Sequence, residues 1–162
     1  QIKLYEELIE AGKEFNTKPF GARALMSMRL EKNWGAWTLD YRPDFTAKET
    51  GLDKFINWDK EFIGKGSAQK DKSKKKIIPL IVETNDIDVT YNEAVIKDGK
   101  SIGYVTSGGF AHFVNKSVAF SYLDEIGLNS DKGIQVEING YMFNCSIIKK
   151  PLYDPSGQKM RS

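Results

Sequence analysis

The sequence predicts an α+β chain, helical and irregular over residues 1–72 and all-β and antiparallel over residues 73–162. Two observations predict it. Apolar residues recur at helical spacing near the start and at every second position after Lys76. Two dipeptides, Asp98-Gly99 and Asn139-Gly140, sit between alternating runs, and their residue types tolerate the positive φ of a tight hairpin turn.

Ile2, Tyr5, Leu8 and Ile9 share one helical face, which predicts a helix over 2–11. Gly12 follows where a left-handed cap would end it. Asn16-Thr17-Lys18-Pro19 offers a new start, with capping residue types and a proline suited to a first turn. A second helix is expected from Phe20 to about Arg29, with Leu25, Met28 and Leu30 as its apolar members. Residues 31–62 are irregular and aromatic, carrying Trp34, Trp37, Tyr41, Phe45, Phe55, Trp58 and Phe62, punctuated by Pro43 and Gly51. A short polar helix is expected over about 65–72. The run of Lys70, Lys72, Lys74, Lys75 and Lys76 then reads as a solvated linker and marks the domain boundary. Strands are expected over 77–82, in a hairpin over 95–105, over 117–122, and in a second hairpin over 134–138 and 141–148. So many short strands in about 75 residues indicate a small antiparallel barrel or sandwich.

Composition removes several function classes. The net charge of +2, from 24 basic and 22 acidic residues, is too even to imply a nucleic-acid partner. No apolar run approaches the ~18 residues that a membrane span requires, so no membrane partner is expected. Cys145 is the only cysteine and forms no internal disulfide, which suits a reducing, cytoplasmic compartment. It lies in the alternating run Tyr141–Ile147 and reads as a small core residue. His112 is the only histidine and reads as a surface or packing residue; one His and one Cys do not make a closed zinc site. No dinucleotide or phosphate-loop glycine motif is present. Thr106-Ser107-Gly108-Gly109 offers two readings: backbone N–H groups turned to an anion, or a barrel turn where glycine relieves crowding. Gln1 in place of an initiator Met, leading straight into a helical pattern, reads as an internal start within a longer chain.

The densest polar and aromatic cluster is Arg29-Leu30-Glu31-Lys32-Asn33-Trp34-Gly35-Ala36-Trp37. A carboxylate beside aromatic faces suits a flat heterocycle with paired N–H donors. The alternative is an internal Arg29–Glu31 pair that orders the loop while the tryptophans fill the core.

Six segments in one order carry a resemblance. Met28-Arg29-Leu30-Glu31-Lys32 followed by Trp37, Glu49–Ile56, and Asp59–Lys65 resemble segments of the folate-binding domains of dimethylglycine and sarcosine dehydrogenases. Ile102–Gly109, Asn115–Tyr122 and Pro151-Leu152-Tyr153-Asp154-Pro155 resemble the C-terminal barrel of the same family, the glycine-cleavage T-protein-like aminomethyltransferases. The resemblance implies an N-terminal remnant of the folate-binding domain over 1–72 and a C-terminal antiparallel β-barrel over 73–162. It implies tetrahydrofolate as the one-carbon acceptor, with Arg29, Glu31, Trp34, Trp37 and Arg161 as folate-binding residues. It places the catalytic aspartate in a missing N-terminal half of the same domain, so no catalytic residue is assigned here and the chain alone is expected to be inactive. A flavin dehydrogenase domain is a possible further partner, and a docking or packing module of such a dehydrogenase is the alternative function. One departure stands out. The family's T-proteins carry an arginine where this sequence has Leu25, so no ionic clamp on a folate carboxylate forms there.

Overall fold

A computed structural model describes residues 1–84, 86–125 and 132–161. Its strands are β1 (Lys75–Val82), β2 (Ala94–Lys97), β3 (Lys100–Ala111), β4 (Lys116–Asp124), β5 (Ile134–Ile138) and β6 (Tyr141–Ile147). They close into an antiparallel barrel in the order β1-β4-β3-β2-β5-β6, with β6 returning to β1. Both predicted hairpins form. Asp98 and Gly99 have φ of 51° and 72°, and Asn139 and Gly140 have φ of 51° and 82°. That backbone twist matches the twist of the flanking strands.

Alternation sorts each strand into two faces. Leu80, Val82, Val95, Val105, Ala119, Leu123, Val136 and Cys145 fill the barrel interior. The outward residues of β1 and β4 form a second cluster, in which Val118 and Phe120 meet Leu30, with Ile77 and Ile81 alongside. Cys145 is thus a core residue, and burial raises its thiol to about 12. Thr106–Gly109 is not a turn but the interior of β3, with a bulge between Val105 and Ser107. Glycine is needed there for close approach: a Cβ on Gly108 would lie 2.2 Å from the Val89 carbonyl oxygen. His112 is exposed just beyond β3, its ring edge-on to Phe110.

The helical front forms with shifted ends. α1 spans Ile2–Gly12 and continues into a 3-10 turn at Lys13–Phe15, so Gly12 is right-handed and the left-handed residue is Asn16. Gly12 is required for space instead, since a Cβ there would meet the Thr17 side chain at 2.7 Å. α2 spans Ala22–Glu31, later than predicted, and begins at Gly21 with no side-chain cap. α3 spans Lys65–Gln69. No helix is long and apolar enough to cross a membrane, among the described residues.

α2 packs on β3 and β4 of the barrel. Leu30 enters the outer apolar cluster, and the Ser27 hydroxyl donates to the Phe110 carbonyl at 2.5 Å. The predicted apolar faces of both helices otherwise remain exposed, Ile2, Tyr5, Leu8, Leu25 and Met28 among them.

Candidate functional site

α2 ends in a Schellman motif. Asn33 takes a left-handed φ of 60°, its N–H donates to the Leu30 carbonyl at 3.1 Å, and the Trp34 N–H donates to the Arg29 carbonyl at 2.9 Å. This reversal carries Trp34 off the helix axis. The Tyr41 ring then closes against Gly35, where a Cβ would lie 2.5 Å from the ring carbon bearing the hydroxyl. The Gly35 N–H donates to that hydroxyl at 3.1 Å. Burial, the largest influence, raises the Tyr41 phenol above its ordinary range.

The loop is held by a carboxylate that the sequence did not single out. Asp40 is fully buried. One of its oxygens accepts from the hydroxyls of Thr106 at 2.5 Å and Ser107 at 2.6 Å. The other accepts from Arg29 at 2.5 Å and from the Ala36 N–H at 2.8 Å. The Tyr122 hydroxyl completes the knot by donating to the Asp40 carbonyl at 2.8 Å, and the Tyr122 ring stacks on Phe45 with centroids 3.4 Å apart. A buried carboxylate with this many donors is satisfied, and it fixes loop to barrel.

The C-terminal segment is fixed from the other side. Lys32 donates to the Asp154 carbonyl at 2.6 Å and to its carboxylate at 2.8 Å, and the Tyr153 N–H donates to the Glu31 carbonyl at 3.0 Å. The Lys32 hydrogen bond is the main reason that the Asp154 carboxyl lies below its ordinary range.

Between these supports lies a cavity of about 760 Å³. Its floor is the outer face of the barrel, Ile77, Pro79 and Phe120. Trp34, Gly35 and Tyr41 line it from the loop, Gly51, Leu52 and Phe55 from the irregular stretch, and Pro155, Met160 and Arg161 from the C-terminal segment. Its charged lining residues are Lys32, Lys54 and Arg161; no Asp or Glu is among the described ones.

The predicted site residues therefore divide. Trp34, 55% exposed, and Arg161 line the cavity together. Arg29 and Glu31 do not reach it. Arg29 is spent on Asp40, and Glu31 accepts from the Phe113 N–H at 2.6 Å. Neither is among the lining residues, and their hydrogen bonds go to Asp40 and to the Phe113 N–H, so both hold the walls from behind. Trp37, at 78% exposed, stands edge-on to Tyr41 outside the lining, so neither tryptophan fills the core. Leu25 is also outside the lining, on the exposed side of α2. Lys32, Lys54, Tyr41 and Phe120 are lining residues that sequence reasoning missed. Lys54 sat inside the recognised Glu49–Ile56 segment, and Phe120 in the outward register of β4, so the signal was the segment and the alternation rather than the residue.

A second hollow of about 610 Å³ lies between residues 46–58 and α3 and includes Trp58 and Asp71. Hydrogen bonds from Ser73 and Thr46 lower the Asp71 carboxyl to about 2, so it is a structural acceptor. No group of three or more His, Cys, Asp or Glu is placed to hold a metal ion, among the described residues.

Comparison with known proteins bears on this geometry. Residues 75–154 match the glycine cleavage T-protein C-terminal barrel domain, and residues 1–60 match the GCVT N-terminal domain. Mitochondrial dimethylglycine dehydrogenase from Mus musculus is 35% identical over 92% of this chain and 18% of its own length. An aminomethyltransferase from Pseudothermotoga lettingae is 34% identical over 93% of this chain and 42% of its own length. The crystal structure of the glycine cleavage system aminomethyltransferase T from Bartonella henselae superposes with a TM-score of 0.70 at 23% identity, covering 82% of this chain and 38% of that one. That likeness shows a shared fold. The chain thus spans less than half the length of each of these relatives.

Proposed function

This chain belongs to the glycine cleavage T-protein family, and we propose that it supplies the barrel-side wall of a tetrahydrofolate site in a larger aminomethyltransferase. The observation that carries the reading is the cavity's lining: flat aromatic and apolar surface, three cations and, among the described residues, no acidic side chain. A ligand matched to it has a planar ring and a carboxylate end. Tetrahydrofolate has both, and about 760 Å³ lies within the range of small-molecule sites.

In this reading Trp34 and Phe120 provide ring contact, while Lys54 and Arg161 face the carboxylates. Lys32 serves mainly to hold the C-terminal segment through Asp154. Arg29 and Glu31 position rather than touch. The chemistry is transfer of a one-carbon unit from an aminomethyl group or an imine to a folate nitrogen. The walls contribute by orienting that nitrogen and keeping water out. The acid or base comes from the remainder of the folate domain, so the chain by itself transfers nothing. Calorimetry tests the reading: weak saturable binding of tetrahydrofolate, lost in Trp34→Ala, is expected. No heat of binding by the wild-type chain at millimolar ligand would sink it.

The match to dimethylglycine dehydrogenase favours a second reading, in which the chain packs against a flavin dehydrogenase domain without touching folate. Under that reading Trp34→Ala in the full-length parent disturbs assembly and leaves folate coupling intact.

A further inference from the structure

The stretch 46–58 is a wall of both hollows, and its residues sort between them without overlap. Lys54 and Phe55 line the cavity, while their neighbours Asp53 and Ile56 line the second hollow together with Trp58. α3 lines that hollow through Ser67, Ala68 and Gln69. At about 610 Å³ it lies within the range of small-molecule sites. Its charges do not cancel. Two carboxylates, Asp53 and Asp71, stand against one ammonium, Lys48, among the described lining residues. Asp71 is already engaged: the Ser73 N–H donates to its carboxylate at 2.8 Å, and the Lys48 ammonium donates to its carbonyl at 3.5 Å. Asp53 is half-buried, and no donor among the described residues reaches its carboxylate.

We propose that this hollow is a binding site for a small organic cation of the alkylammonium class, with Asp53 as its counter-charge and Trp58 as its apolar seat. The Trp58 indole is 37% exposed, so its surface is open to a ligand. A cation is attracted to the face of an indole, and a concave site of one sign concentrates ions of the other. Ile56 supplies apolar wall for the alkyl groups. A carboxylic acid of the same size would be repelled by the excess negative charge, and a neutral molecule would leave Asp53 without its counter-charge. The site shares no lining residue with the cavity, so it stands whether or not the folate reading does.

The test is fluorine NMR on this chain labelled with fluorotryptophan. It is titrated with three probes of similar shape and different charge: tetramethylammonium chloride, tert-butanol and sodium trimethylacetate, at constant ionic strength. Saturable movement of the Trp58 resonance is expected with tetramethylammonium, at an affinity about tenfold above that of either other probe. Asp53→Asn should cut that preference to about twofold, with the Trp34 and Trp37 resonances unmoved as the sign of an intact fold. A Trp58 resonance that answers all three probes equally, or none of them saturably, overturns the proposal. So does a preference that survives Asp53→Asn. The three-probe comparison on the wild-type chain decides by itself if the variant misfolds. Tetrahydrofolate is read at Trp34, so a failure of the folate reading is told apart from a failure of the cation site.

Discussion

The Arg29 guanidinium donates a 2.5 Å hydrogen bond to the fully buried Asp40 carboxylate, and this pair ties the last turn of α2 to the loop that β3 and β4 hold. Removing one member leaves the other as an uncompensated charge, which costs far more than the pair itself contributes. Asp40→Ala is therefore expected to destabilise the chain by about 3–5 kcal/mol, measured by urea unfolding. A loss under about 1 kcal/mol would show that water compensates Arg29.

Trp34 and Trp37 are three positions apart but differ in placement, one in the cavity wall and one outside it. Ring stacking on an aromatic side chain contributes about 1–3 kcal/mol. Trp34→Ala should weaken tetrahydrofolate binding by about tenfold or more, and Trp37→Ala should leave it within about twofold. Isothermal titration of the two variants side by side decides it; equal losses would remove the cavity from the argument.

Lys54 and Arg161 are exposed cations of the lining, so each contributes modestly and is screened by salt. Lys54→Gln and Arg161→Gln are each expected to reduce affinity roughly threefold at low ionic strength, and much less in 0.5 M salt. Titrations at two salt concentrations check this.

The Lys32–Asp154 contact gives a pH dependence of known sign. Asp154 is depressed below its ordinary 3.8 in the folded chain, chiefly by the Lys32 hydrogen bond. Its contribution is complete above the unfolded value near 3.8 and is lost as pH falls through the lower folded value. Asp154→Asn should lower the melting temperature at pH 6, and the gap from wild type should close as the pH falls below about 3.8. A gap that does not narrow at all as the pH falls below the unfolded value would assign the effect to packing.

The barrel was legible because its signals are local. Asp98-Gly99 and Asn139-Gly140 set two turns by backbone preference alone; the apolar run over 77–82 marked a strand, and only the closed barrel sorts Leu80 and Val82 inside and Ile77 outside. The helices were legible as helices from their apolar spacing, and most of those apolar residues stand exposed among the described residues. Asp40 was not legible. Its partners Thr106 and Ser107 lie more than 60 residues away, and an isolated Asp between Leu39 and Tyr41 looks like a loop residue until the barrel brings them together. The same fact reassigned Arg29: an arginine at the end of an apolar helix announces a partner, and only the fold says whether that partner is ligand or protein.

Closure of the barrel has one more consequence. β1 meets β6 over three residue pairs, Leu80–Ile147, Ile81–Ser146 and Val82–Cys145, and this short seam leaves the sheet without a free edge. A sheet without an edge offers no template on which another chain can grow. Molecules of this protein that stick to one another should therefore do so through their bare helices, as amorphous and readily dissolved clumps, and fibrils with a 4.7 Å meridional reflection should form only after the seam has come apart.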